Sequence, residues 1–395
     1  MIRDYLTVES GKGGLFWAFP DNTHWSFTVS RIIGLIDFGG ANFAEIIQAV
    51  TRIKDGDEES WYNSWARLAS QLEVLAHEAS ASGNMHSTVS FLHRAANYHR
   101  MAQFFFTGQD PRKIESLTKA GTLFERTLHR LPVHAEMIHV PYKGALLPGY
   151  HFLPRGADRK RPAIIYLNGA DSLPSEVYFT VGLTMALSGY HFMVYEAPGV
   201  GLSLYRRNIP TTYASEEFVS PALDLLSQRS DVDKDRIILM GESFAGYLVP
   251  RAAAFEPRIA AIVISSPIYR YEAYRRYLGS GPAFREHLLR LFGCSTAEEL
   301  RQEADHYTLA GVLDRVKCPA LLIQGAEDPL IVNPVNEGLR VLNELGTSDK
   351  KLVVYETGGG LGGFTHCQKD NLHLFHADSV SWMREHGLGG EEVDQ

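Results

Sequence analysis

Ser243, Asp328 and His366 are the residues of this chain whose types and order could do nucleophilic chemistry. A serine hydroxyl is a weak nucleophile at its own pKa and needs a base within hydrogen-bond reach. An imidazole can take that proton and later return it to a leaving group. A carboxylate behind the imidazole fixes its tautomer and stabilises its charged form. Ser243 lies in Gly241-Glu242-Ser243-Phe244-Ala245-Gly246, directly after the apolar run Ile237–Met240. Small residues around a serine suit a sharp strand-to-helix turn, because bulk would clash where the backbone is strained. Here the second small position is Ala245, with Gly246 behind it. Asp328 follows the apolar run Ala320–Gln324, and Glu327 beside it is a rival acid. Among 16 histidines, His366 alone sits in the glycine-rich loop, just past Gly358–Gly363, behind the last expected strand. Negative charge developing on a carbonyl oxygen needs two backbone N–H donors. Phe244 is one expected donor, and Ala170, in the loop Asn168-Gly169-Ala170-Asp171, is the other.

Such distant residues need a scaffold that gathers strand ends. The runs Pro162–Leu167, His191–Tyr195, Ile237–Met240, Ile259–Ser265, Ala320–Gln324 and Leu352–Tyr355 read as strands. Helices are expected at Val181–Leu187, Glu216–Gln228, Tyr247–Phe255 and Pro334–Leu345, with a last one to about Glu385. Alternation of this kind makes a mostly parallel, doubly wound α/β sheet whose chemistry lies beyond the C-terminal strand ends. Ahead of it, Ala135–Pro141 and Tyr150–Pro154 alternate like a hairpin, with Gly144 and Pro148-Gly149 as turn residues and a polar turn at 155–161. Glu196–Gly201 lacks the third glycine of a phosphate loop and reads as a turn that shapes the site. The stretch 267–316 is too long for a simple connection and carries Tyr269, Tyr271, Tyr274 and Tyr277; a lid is expected there.

Residues 1–131 read as a separate helical domain in front of a catalytic domain at 132–395. Ile46, Ile47, Val50 and Ile53 share one face. Trp61, Trp65, Leu68, Leu72 and Leu75 then recur at helical spacing from Glu58, and Gly83-Asn84 ends that run. Further helices are expected at Thr88–Phe106 and Arg112–Arg130. The aromatics Phe16, Trp17, Phe19, Trp25, Phe27 and Phe38 form either a packed arm or one wall of an apolar pocket. His86, His93 and His99 keep no metal spacing and read as surface or packing residues.

A net charge of −8 without a basic block argues against nucleic acid as a partner. No stretch approaches the roughly 20 apolar residues of a membrane span, and the first residues lack a signal-peptide core. Three scattered cysteines are too few for a disulfide framework or a zinc site. The expected compartment is the cytoplasm.

The order Ser243, Asp328, His366, each at a strand end, resembles the α/β hydrolases. The G-x-x-D pattern of that family places the acid at 328. The resemblance is to the branch holding 2,6-dihydroxypseudooxynicotine hydrolase, the fungal Ayg1-type polyketide-shortening hydrolases and the FrsA-like esterases. It reaches most of the chain: Arg52–Tyr62 and Arg94–Arg100 in the helical domain, then Asn168–Glu176, Glu196–Gly201, Gly241–Gly246, Asp328 and His366. It implies a serine hydrolase whose N-terminal helices cover the active site, with no metal or organic cofactor. Several members cleave a carbon–carbon bond beside a ketone. An acidic residue after the oxyanion loop, similar by position to Glu176 with Asp171 the nearer alternative, is implied as proton relay or substrate contact. A homodimer is implied by the resemblance alone. Ala245 and Asn168 depart from the pattern.

The favoured function is a serine hydrolase acting on a bulky apolar carbonyl compound, at a C–C bond between carbonyls or at an ester. The alternatives are an acyltransferase or cyclase using the same triad, separable by product identity, and a non-catalytic small-molecule-binding protein on a hydrolase scaffold.

Overall fold

The computed structural model describes residues 18, 19, 21–156 and 159–390; Phe16, Trp17, the first residues and part of the turn at 155–161 lie outside them. The chain forms two compact units. One runs up to Leu131 and includes Pro282–Glu286; the other holds Pro132–Gly281 and the residues from His287 onward.

In the first unit the helices Glu58–Ala81, Met85–Ala102 and Pro111–Glu125 pack in sequence order. Asp57 accepts a hydrogen bond from the Ser60 N–H and Asn84 one from the Ser87 N–H, each satisfying an N–H that a helix start leaves open. Asn84 therefore begins the second of these helices at Met85, three residues before the expected Thr88. The expected helix to Arg130 stops at Glu125, and Leu128–Arg130 forms a separate short turn. Phe19, Trp25 and Phe27 are buried. The Trp25 ring stacks on Phe105 at 4.6 Å and meets Trp61 edge-on at 5.0 Å. Phe19, Trp25 and Phe27 are thus core rather than pocket wall, because nearby helices fill the space they face, while Phe38 is half-buried. The stretch Arg94–Arg100 has a structural task as well. Arg94 Nε and the Tyr98 hydroxyl both donate to Glu45, at 2.9 and 2.8 Å, and Asn97 donates to the Gly40 carbonyl. His93 meets Thr127 and His99 meets Glu73, while His86 is exposed.

In the second unit eight strands form one sheet: β1 Ala135–Tyr142, β2 Ala145–Phe152, β3 Arg161–Leu167, β4 His191–Tyr195, β5 Val232–Glu242, β6 Ala261–Ser265, β7 Ala320–Gly325 and β8 Lys350–Tyr355. Their order is β1-β2-β4-β3-β5-β6-β7-β8. Pairings β1/β2 and β2/β4 are antiparallel and the remainder parallel. All positions of β3, β4, β6 and β7 are buried, as continuous apolar runs with both faces covered require. The hairpin turns at Lys143-Gly144, whose φ values of 45° and 82° suit a two-residue turn. Pro148-Gly149 consequently lies inside β2 rather than in a turn. A Cβ at Gly149 would stand 2.3 Å from the Val194 carbonyl oxygen, so close approach of β4 explains that glycine. The helix expected at Val181 begins at Pro174 and passes through a π-helical turn, Tyr178–Gly182, before Leu183–Leu187. Glu196 gives the following turn its shape: its carboxylate accepts from the Ser203 N–H at 2.8 Å, at the head of the helix Gly201–Tyr205. The insertion between β6 and β7 carries the helices Ala273–Leu278, Pro282–Leu291 and Ala297–Glu303.

Candidate active site

Ser243 stands between the end of β5 and the helix Ala245–Ala253, with φ 59°. A non-glycine residue held there costs on the order of 1–3 kcal/mol, which the surrounding packing must offset. The Ser243 N–H donates to the Ser265 carbonyl at 3.1 Å, fastening the turn to the end of β6. A Cβ on Gly241 would lie 2.6 Å from the Ala245 methyl, so the methyl fits because position 241 has none. A Cβ on Gly246 would meet the Ser266 carbonyl oxygen at 2.3 Å. The strict demand for glycine after the serine therefore falls on 246.

His366 brings the other two residues together. Its Nε2 lies 2.7 Å from Ser243 Oγ and its Nδ1 2.6 Å from Asp328 Oδ2. Both His366 and Asp328 are buried, whereas Glu327 is exposed and binds the histidine loop through its backbone N–H to the Phe364 carbonyl. Asp328 also accepts from the Leu330 N–H at 2.8 Å and the Ser266 hydroxyl at 3.1 Å. Burial pushes the Asp328 carboxyl up, but the imidazole charge and these donors outweigh it and hold it below its ordinary value. Burial likewise disfavours a charged His366, and the Asp328 carboxylate overrides it, raising the imidazole's affinity for a proton. The arrangement can deprotonate a serine hydroxyl and stabilise the imidazolium that results.

The sequence reading missed the residues that hold these loops. Ser266, with φ 58°, accepts from the Cys367 N–H at 3.0 Å while donating to Asp328. Ser265 Oγ donates to Gln368 Oε1 at 2.7 Å. Asp370 accepts from the Gly363 and Thr365 N–H groups at 2.6 and 3.2 Å, closing the glycine-rich loop onto the histidine loop. Lys369 Nζ donates to Glu242 Oε2 at 2.7 Å, with both side chains less than a tenth exposed. The pair ties the residue before Ser243 to a residue three beyond His366. The one available signal was position: Glu242, Ser265, Ser266 and Gln324 all stand at C-terminal strand ends. Removing one partner of a buried ion pair costs about 3–5 kcal/mol, because the other charge stays buried alone. Lys369→Met should accordingly lower the thermal unfolding midpoint, and adding Glu242→Gln should restore most of the loss.

A Cβ on Gly169 would lie 3.2 Å from the Ser243 Cβ, so the loop carrying Ala170 presses on the serine. Phe244 heads the helix Ala245–Ala253, and its ring meets Tyr271 of the insertion edge-on at 4.7 Å, with Phe292 and Tyr307 at about 6 Å. Tyr269 and Tyr271 are both buried. Glu176, in the first turn of the helix after that loop, is 1% exposed and accepts from the Ser172 hydroxyl at 3.1 Å. Asp171 is half-buried. Among the described residues no group of three or more His, Cys, Asp or Glu side chains could hold a metal ion, and no helix is long and apolar enough to cross a membrane.

The sheet order and the serine turn at the end of β5 define an α/β-fold hydrolase. The chain belongs to the FrsA-like esterase family, whose model matches residues 42–330. It is similar to the hydrolase ORFZ of Pyricularia oryzae, 28% identical over 411 residues covering 92% of this chain and 96% of that one. It is also similar to the 20-hydroxy-prefusarin hydrolase FUS2 of Gibberella moniliformis, 29% identical over 91% of this chain and 95% of that one. The crystal structure of a 2,6-dihydroxy-pseudo-oxynicotine hydrolase shares the fold at a TM-score of 0.76 and 23% identity, across 91% of this chain and 97% of that one.

Proposed function

We propose that this hydrolase works through Ser243 as nucleophile, His366 as general base and acid, and Asp328 as the group that orients His366. The observation that carries the reading is the pair of contacts at His366, 2.7 Å to Ser243 Oγ and 2.6 Å to Asp328. Ser243 Oγ attacks a ketone or ester carbonyl while His366 Nε2 takes its proton. The N–H groups of Phe244 and Ala170 hold the oxyanion. Collapse breaks the bond between that carbonyl carbon and the leaving group, which takes the proton held by His366, directly or through a carboxyl relay, and an acyl group stays on Ser243. Water, deprotonated by His366, then releases the acid and restores the serine.

The substrate proposed is a small, bulky apolar carbonyl compound, with the insertion at 267–316 serving as a lid. Its aromatic packing on Phe244 supports that role. The bond proposed first is C–C beside a ketone, and an ester second. A carbon leaving group departs as an enolate and needs a proton delivered to it. Glu176, buried beside the oxyanion loop, supports such a relay, with Asp171 as the alternative.

The test compares matched 1,3-diketones and esters carrying the same aromatic or long-chain body, with products identified by mass spectrometry. Glu176→Gln should slow diketone cleavage by about 10²–10⁴-fold, the usual contribution of a positioned proton donor, and leave ester cleavage within tenfold. Ester cleavage alone by the wild type would discard the carbon–carbon reading.

A further inference from the structure

A cavity lies beside the acid of this site. It measures about 450 Å³, within the roughly 300–1,000 Å³ of small-molecule sites. Segments following β6 and β7 line it, and it includes neither Ser243 nor His366. Four arginines and two glutamates are among its lining residues, and two further carboxylates, Asp305 on Arg270 and Glu344 on Arg340, pair with these arginines from outside the lining. The glutamates are already engaged: Glu272 pairs with Arg275 at 2.9 Å, and Glu337 accepts from the Tyr269 N–H at 2.7 Å.

Two of the arginines are held less closely by carboxylates. Arg276 donates to the Leu330 carbonyl at 2.7 Å and lies over the Tyr271 ring at 5.1 Å, meeting no carboxylate among the described residues. Arg340 lies over the Tyr269 ring at 3.6 Å, with Glu344 at 3.8 Å. A guanidinium has five donors in a planar fork that matches a carboxylate, so each keeps N–H groups for a ligand. The rest of the wall is largely apolar: Ile268, Leu330, Ile331 and Val332. A bare inorganic anion would leave that part of the wall unsatisfied, whereas an acid with a hydrocarbon body would use both.

We propose that this cavity binds a carboxylate-bearing amphiphilic organic acid, with Arg276 and Arg340 holding the carboxylate and the apolar wall holding the chain. The site communicates with the triad through one residue. Leu330 accepts from Arg276 through its carbonyl and donates its N–H to Asp328 Oδ1 at 2.8 Å. A ligand that engages Arg276 therefore acts on the peptide unit next to the one that holds Asp328.

The probe is octanoate, titrated calorimetrically into full-length Ser243→Ala protein, so that binding is read without turnover and independently of the mechanism proposed above. Octan-1-ol and inorganic phosphate are the controls. Octanoate should bind at least tenfold more tightly than either. Arg276→Gln and Arg340→Gln should each weaken octanoate about ten- to 100-fold, the loss of a charge-assisted hydrogen bond, and Arg276→Lys should lose less than Arg276→Gln. Each variant is compared with its parent by thermal unfolding, and the two arginines are separate tests should one variant misfold. Equal binding of octanoate and octanol, phosphate binding as tight as octanoate, or unchanged octanoate binding in both glutamine variants would overturn the proposal.

Discussion

Ser243→Ala should abolish turnover, with kcat falling by about 10⁶-fold, as loss of a triad nucleophile does. Alanine keeps the Cβ, and the backbone at φ 59° already tolerates one, so the fold should survive. The elbow's close contacts are made by Gly241, Ala245 and Gly246, and none uses the hydroxyl. Thermal unfolding should therefore match the wild type within a degree or two while activity disappears. A serine-directed phosphonate supplies the second readout: intact mass should rise by one adduct in the wild type and stay unchanged in the variant. Persisting turnover in Ser243→Ala would remove the nucleophile, and a wild type that takes no label would revive a binding protein on a hydrolase scaffold.

Asp328→Asn should lower kcat/KM by about 10⁴-fold, the size expected when a triad imidazole loses its tautomer control. The pH dependence carries the sign. His366 acts as a base only when neutral, so activity is lost as pH falls through its folded pKa. Asp328 raises that pKa against the opposing effect of burial. Removing the charge leaves burial dominant, and the acid limb of the residual activity should move to lower pH. A limb that stays in place would show that His366 is not the group titrating. Asparagine also turns its NH₂ group either toward the donors Ser266 and Gln324 at the Oδ2 position or toward the Leu330 N–H at the Oδ1 position. A fall in stability should accompany the loss of rate, separable from it because only the rate profile shifts with pH.

The parts of this protein legible in its sequence are those set by short-range physics. Strand and helix alternation from Pro162 onward follows from apolar periodicity, and the parallel sheet follows from that alternation. The serine turn is readable because the clash between positions 241 and 245 spans only four residues. The order of Ser243, Asp328 and His366 is readable because each follows an apolar run. Boundaries were weaker: the hairpin turn was split between Gly144 and Pro148-Gly149, since a glycine needed for a positive φ and one needed for close strand approach look alike in a sequence.

What only the tertiary structure decided are the relations between residues more than a hundred positions apart. Lys369 and Glu242 are separated by 127 residues and Ser265 and Gln368 by 103, and no local pattern links either pair. The burial of Asp328 beside an exposed Glu327 is likewise tertiary, across 38 residues, although the G-x-x-D pattern already placed the acid at 328. One is exposed and the other buried because the histidine loop folds down onto the end of β7, where a Cβ at Gly325 would touch the Phe364 carbonyl at 2.3 Å. Composition and spacing determined which residue types could do the chemistry. Packing between strand ends selected which of them meet, because hydrogen bonds and buried charges depend on distance in space, and the sequence records distance only along the chain.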